Sequence, residues 1–301
     1  MSNIIGHQAI ARRKYWIGEI QKLSGNFVDD FTKLERELKD EFSKNGVGSI
    51  IDHLRLCGDI PEQYDHDSSE EKLYSKYTDA LLSHAFASSG LKSLILTERG
   101  DSADVEAFGK NYSLVADAKA FRLSRTAKNQ KDFKVAAMDT WKRGKPYAVV
   151  VCPIYQLPVR SSQIYEQATS RNVCVFTYSH LSVLVCFAAA GGNSEGLLHD
   201  ILKSVTAINP SKDAIAYWTS VNRAMLSFDK RISDLWKNEK QAAVESVAAA
   251  KELALAYLAD EREKIMRMSH DEALRELIKI NRIESRIATI KAVDNNGIMD
   301  I

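Results

Sequence analysis

Asp117-Ala118-Lys119 closes the apolar run Tyr112-Ser113-Leu114-Val115-Ala116. The same acid-x-lysine spacing recurs at Glu37-Leu38-Lys39, Glu70-Glu71-Lys72 and Asp132-Phe133-Lys134. Those three lie in helical patterns, where both residue types are common on solvated faces. At a strand end, residues two apart project to the same face, so Asp117 and Lys119 share one site. Asp104 opens the preceding strand-like run thirteen residues upstream, and antiparallel pairing would bring it beside Asp117. Two carboxylates suit a hard cation such as Mg²⁺, which takes oxygen ligands and keeps several waters. Such a cation activates water and stabilises the charge of an in-line displacement at phosphorus. Lys119 would position or deprotonate that water, or stabilise the developing charge. An ion pair at a sheet edge is the alternative reading of the same spacing.

The next residues bear on that choice. Lys119, Arg122, Arg125, Lys128, Lys131 and Lys134 follow one another closely and are opposed only by Asp132. Arginine and lysine match guanine edges, the amides Asn129 and Gln130 match adenine, and Asp132 can accept from cytosine. Ser124 can cap a helix running to about Arg143, whose N-terminus would favour phosphate. Phe133, Ala137 and Trp141 are spaced to pack that helix on a sheet. Arg122, Arg125 and Lys128 flank the helix start and suit phosphates; Asn129, Lys131 and Asp132 suit bases. A solvated basic helix face is the competing reading. A phosphate-hydrolysing site followed at once by a base-reading helix is a nuclease arrangement.

The elements that must position these groups can be read from periodicity. Residues 8–57 are helical by the spacing of Ile20, Leu23, Phe27, Phe31, Leu34 and Leu38. Residues 58–67 are a loop by composition. Ser68 and Glu71 form a capping box that starts a helix to about Ser88, with Leu73, Tyr77, Leu81 and Ala85 as its buried stripe. Strands are expected at 93–96, 103–108, 112–117, 147–154 and 172–178, with a short helix at 161–170 and another at 179–188. The Gly191–Gly196 segment is the best linker, and strand signals nearly vanish beyond residue 197. Residues 239–293 read as long amphipathic helices, with a second capping box at Ser269 and Glu272.

Bulk properties exclude several classes. The formal net charge of +1 gives no whole-protein basic field, so a nucleic acid would meet a local patch. Cys57, Cys152, Cys174 and Cys186 form no C-x-x-C pair and read as free thiols of a cytoplasmic protein. No run is apolar enough to span a bilayer, and the N-terminus lacks the apolar core of a secretory signal. His66 and His84 lie nearest the acidic site but lack ligand spacing. Neither a G-x-S-x-G elbow nor a P-loop occurs.

Taken together, D-x(n)-D-x-K on the order helix, three strands, helix, strand resembles the PD-(D/E)xK nuclease core. The run VADAKAFRLSRTAKNQKDFKV closely resembles the HindIII-type type II restriction endonucleases. Weaker similarity covers about residues 68–187, including SSEEKLYSK, RGDSADV, YAVV and SQIYEQ. The resemblance implies an α/β fold with a mixed sheet flanked by helices. It implies a homodimer that cuts double-stranded DNA at the palindrome AAGCTT after the first A, with Mg²⁺, leaving 5′-phosphates. It assigns Asp104 and Asp117 as metal carboxylates, Lys119 as the catalytic lysine and the Ala118 carbonyl as a further ligand. Glu71, on the helix before the first strand, is a further metal candidate that competes with its capping role. Arg122, Ser124, Arg125, Lys128, Asn129, Gln130, Lys131, Asp132 and Lys134 would form the DNA surface. Ala103 stands where the motif has proline and Asp117 where it more often has glutamate. An acidic residue expected near position 97 is here the neighbouring Glu98. The implied organisation is an N-terminal helical segment 1–67, a catalytic core 68–190 and a helical region 197–301 for dimerisation or backbone contacts. A cognate DNA methyltransferase is expected as a functional partner and not as a bound subunit. A structure-specific or repair nuclease and a non-catalytic DNA-binding subunit are the competing readings.

Overall fold

Five strands form one mixed sheet in the order β1(Lys92–Ile95), β2(Val105–Phe108), β3(Ser113–Ala118), β4(Tyr147–Cys152) and β5(Val173–Thr177). The computed structural model describes residues 3–96, 102–125 and 130–291. β1, β2 and β3 pair antiparallel, whereas β3, β4 and β5 run parallel. The tight turn between β2 and β3 is closed by Gly109 N–H donating to the Tyr112 carbonyl at 2.9 Å. A Cβ at Gly109 would meet the Tyr112 ring at 2.7 Å, so the close approach requires glycine. Parallel neighbours need crossover helices. Here α5(Gln130–Phe133) and α6(Val135–Trp141) link β3 to β4, and α7(Gln163–Ser170) links β4 to β5. Burial on both faces explains why β4 and β5 read as unbroken apolar runs.

The helix that carries part of the site is α4(Ser69–Ser88), which lies across β1, β2 and β3. Its stripe Leu73, Tyr77, Leu81 and Ala85 is buried, as the spacing predicts. Three preceding helices, α1(His7–Ile20), α2(Phe27–Asn45) and α3(Val47–Leu56), hold α4 in place. Tyr74 of α4 donates to the Cys57 carbonyl at 2.9 Å and accepts from Arg13, which also pairs with buried Asp59 at 3.0 Å. Tyr77 lies 2.6 Å from His53 Nδ1, and His53 Nε2 lies 3.1 Å from Glu41. These side chains fix the rotation of α4 and thereby the direction of its polar residues.

Two expectations are corrected. The helix expected from Ser124 to Arg143 is not continuous. Ser124 sits in a turn, and Lys134 takes a left-handed conformation, φ 46°, between α5 and α6. That break lets Phe133 on one side and Val135 and Met138 on the other all be buried. The segment 191–196 turns at residues 191–193 and then enters α9(Ser194–Thr206), which Asn193 caps by accepting from Gly196 N–H. With α8(Tyr178–Ala189) and α10(Ala214–Phe228), α9 belongs to the compact unit that holds the sheet and runs to Ala254. Tyr217 of α10 bonds the Val175 backbone of β5, N–H to hydroxyl at 2.7 Å and hydroxyl to carbonyl at 3.0 Å.

Further along, α11(Ile232–Arg267) returns to the N-terminal helices. Arg55 of α3 pairs with buried Glu239, Ser246 donates to the Arg55 carbonyl, and Ile5 N–H donates to Glu245 at 2.8 Å. A second unit begins at Leu255 and includes α12(His270–Ile280) and α13(Ile283–Lys291). The expected capping box at Ser269 and Glu272 is formed. No residue of α12 or α13 is buried, and Leu274, Leu277, Ile278 and Ile290 are exposed. Among the described residues, no helix is long and apolar enough to cross a membrane.

Candidate active site

β2 and β3 pair with Val105 opposite Ala116, and one step further along this register sets Asp104 opposite Asp117. A third carboxylate, Asp79, reaches them from α4. Oxygens of Asp79, Asp104 and Asp117 all lie within 4.8 Å of one another. Asp79 and Asp117 are 2 % and 1 % exposed, whereas Asp104 is half-buried. Burial, then Asp104 and Asp117 nearby, push the Asp79 carboxyl well above the usual carboxylate range, against the pull of Lys76. Lys119 continues the strand, its N–H donating to the Val151 carbonyl at 2.7 Å. Its ammonium donates to both oxygens of Asp117 at 2.7 Å. Burial disfavours the Lys119 charge, but Asp117 outweighs it and raises the ammonium pKa. Lys119 thus stands as a donor to Asp117 in the site.

These groups face an open cleft of about 370 Å³ that is also lined by Lys72, Lys76 and Lys134. The basic run places Lys134 on a DNA-facing helix. The left-handed turn instead directs it to within 3.9 Å of Asp117 and over the Trp141 ring at 5.4 Å. Cations thus rim an acidic floor, an arrangement whose charges suit a phosphodiester above a divalent cation.

The remaining expected residues are placed as follows. Glu71 lies apart from the three aspartates. It accepts from Asp67 N–H at 2.6 Å, its N–H donates to Ser68 at 3.1 Å, and Arg122 is 3.5 Å from its carboxylate. Arg122 also donates to the Pro61 and Asp65 carbonyls, each at 3.2 Å, so it ties the 58–67 loop to β3. Ser124 N–H and hydroxyl donate to Glu62 at 3.0 and 2.8 Å, which replaces the expected helix cap and its phosphate site. Arg125 pairs with Asp132 and lies over the Phe121 ring at 5.9 Å. Ala118 lines the cleft. Lys128 and Asn129 lie outside the described residues, as do Thr97 and Glu98; for Gln130 and Lys131 only the backbone is described.

Asp79 and Lys76 were not found from sequence. One signal was available: Asp79 stands within the buried stretch Tyr77-Thr78-Asp79-Ala80-Leu81-Leu82 of α4, and a carboxylate at a buried helical position needs a partner.

A mixed sheet with an antiparallel β-meander, flanking helices and acidic residues at facing strand ends is a restriction-endonuclease-like fold. The chain matches the HindIII restriction endonuclease family over residues 13–294. It is 35 % identical over 272 residues to the type II restriction enzyme HindIII of Haemophilus influenzae, covering 87 % of this chain and 89 % of that protein. The chain belongs to the HindIII restriction endonuclease family, and with it to the DNA-binding hydrolases of restriction systems.

Proposed function

We propose that this protein cleaves double-stranded DNA at AAGCTT, after the first A, by Mg²⁺-dependent phosphodiester hydrolysis that leaves 5′-phosphates and 3′-hydroxyls. The observation that carries the reading is the meeting of Asp79, Asp104 and Asp117 with Lys119 in one open cleft, where the run VADAKAFRLSRTAKNQKDFKV begins. The donor set fits a hard divalent cation: carboxylate oxygens from three elements lie close together, two of them buried. Asp79, Asp104 and Asp117 would hold Mg²⁺, with the Ala118 carbonyl as a further ligand. When bound, the ion supplies a nucleophilic water at neutral pH and neutralises charge on the phosphate. Lys119, beside Asp117, positions or deprotonates that water, or stabilises the charge developing at phosphorus. Lys134 and Lys72, at the rim, orient the strand through its phosphates.

A palindrome implies two-fold symmetry, and each chain brings one such site, so two copies act together. The second unit supplies the contact between copies. Its helices have no buried face of their own, and acidic and basic residues alternate along them, which suits another protein better than a polyanion. The enzyme works in the cytoplasm beside a methyltransferase that protects the same sequence and does not bind it as a subunit.

The test is digestion of a plasmid of known sequence with and without Mg²⁺, with the ends mapped. Cuts confined to A/AGCTT and dependent on the metal are the expected result. Metal-dependent cuts elsewhere would overturn the specificity, and no cutting under any divalent metal would overturn the enzyme.

A further inference from the structure

Each carboxylate of the site already has an ammonium beside it, and the two lysines are not equivalent. Lys119 follows the last residue of β3, next to Asp117, and is 14 % exposed. Lys76 rises from α4 one turn before Asp79, its ammonium 3.4 Å from Asp79 Oδ2 and in closer contact with Asp104 Oδ1. It bridges the two carboxylates that Lys119 does not bond. Lys76 is 29 % exposed and opens onto the cleft, so its flexible stem has a path outward.

We propose that Lys76 is the resident counter-cation of the site, which bridges Asp79 and Asp104 in the metal-free protein and swings out to a DNA phosphate when a divalent cation enters. The inference rests on the metal-dependent reading above. A like charge at this position opposes a divalent ion held by the same two carboxylates. Withdrawal into the cleft gives the ammonium a phosphate partner. DNA then favours metal entry, and metal entry favours DNA by the same factor, because coupling is reciprocal. The metal-free protein is spared a cluster of buried like charges, and the loaded site forms efficiently only on substrate.

The experiment is calorimetric titration of Ca²⁺ into the full-length protein, with and without an AAGCTT duplex, for the wild type, Lys76→Met and Lys76→Arg. Thermal melting of the metal-free proteins accompanies it. Lys76→Met should bind Ca²⁺ on the order of tenfold more tightly without DNA and should lose most of the tightening that DNA confers. It should melt lower without metal and recover in Ca²⁺, whereas Lys76→Arg should keep the wild-type pattern. Unchanged or weaker Ca²⁺ binding by Lys76→Met overturns the inference while leaving the metal site intact. Absence of Ca²⁺, Mg²⁺ or Mn²⁺ binding by the wild type overturns the metal-dependent reading itself. If Lys76→Met fails to fold, Lys76→Gln is measured by the same criteria.

Discussion

Acidification should destabilise this fold through His180, in α8 and remote in sequence from the carboxylates. His180 is 1 % exposed and stacks on Trp218, with ring centroids 5.5 Å apart, and lies 4.4 Å from the Trp236 ring. Its backbone N–H donates to the Thr177 hydroxyl at 3.2 Å, which leaves that hydroxyl to donate to Nδ1 at 2.6 Å. Nε2–H then donates to Asn222 Oδ1 at 3.0 Å. Every polar atom is satisfied by the neutral ring alone, and protonating Nδ1 would set two donors against each other. Burial pushes the imidazole down from 6.5 to about 4, against a smaller upward pull from Asn222. The unfolded chain takes up the proton near 6.5, but the folded chain refuses it until about 4. Stability is therefore complete above about pH 6.5 and falls as the pH drops toward 4. The gap corresponds to a ceiling of about 3 kcal/mol. Urea unfolding followed by tryptophan fluorescence between about pH 7.5 and 4.5, on the wild type and His180→Gln, isolates this contribution. His53, also lowered by burial, titrates in both proteins and cancels in the difference. Identical pH dependence in the two proteins would refute the reasoning.

Asp79→Asn should lower the cleavage rate at least roughly 100-fold with the fold retained by circular dichroism; a near-normal rate would remove Asp79 from the site. Glu71→Gln should cleave almost normally and change stability by less than about 1 kcal/mol, because the glutamine oxygen can still accept from Asp67 N–H; a large rate loss at unchanged melting temperature would return Glu71 to the metal. Binding in Ca²⁺ at fixed salt should show Asn129→Ala relaxing discrimination at one base pair by about 1–3 kcal/mol, and Lys128→Ala weakening all sequences alike. Leu274→Glu with Ile278→Glu should shift sedimentation from dimer to monomer, and an unchanged dimer would place the contact elsewhere.

Local signals made much of this architecture legible. The run Tyr147–Cys152 is a strand because continuous β-branched residues suit a strand buried on both faces, and the Ser68 cap marks the start of α4. Asp104, Asp117 and Lys119 could be placed together because a two-residue period and one hairpin fix their geometry. Asp79 could not, since its approach depends on the rotation of α4, set by Arg13, Asp59 and His53 on elements far away in sequence. The break at Lys134 was equally hidden: a lysine with positive φ carries no compositional mark, and only the need to bury Phe133 and Met138 together reveals it. Arg122 reads as one more cation of a basic run. Its carbonyl partners at Pro61 and Asp65 belong to a loop that composition alone does not bring near.

The contacts of Arg55 with Glu239 and Ser246, and of Ile5 with Glu245, set an order of events during synthesis. The cleft's three aspartates, with Lys76 and Lys119, are made by the time Lys119 leaves the ribosome. The helices that support α4 acquire this buried carboxylate partner only with Glu239, another 120 residues later. At about 5–20 residues per second that interval is roughly 6–24 s. During it α3 carries Arg55 without its carboxylate, and α4 rests on an incomplete support. The support beneath the cleft is therefore closed only by residues far later in the sequence.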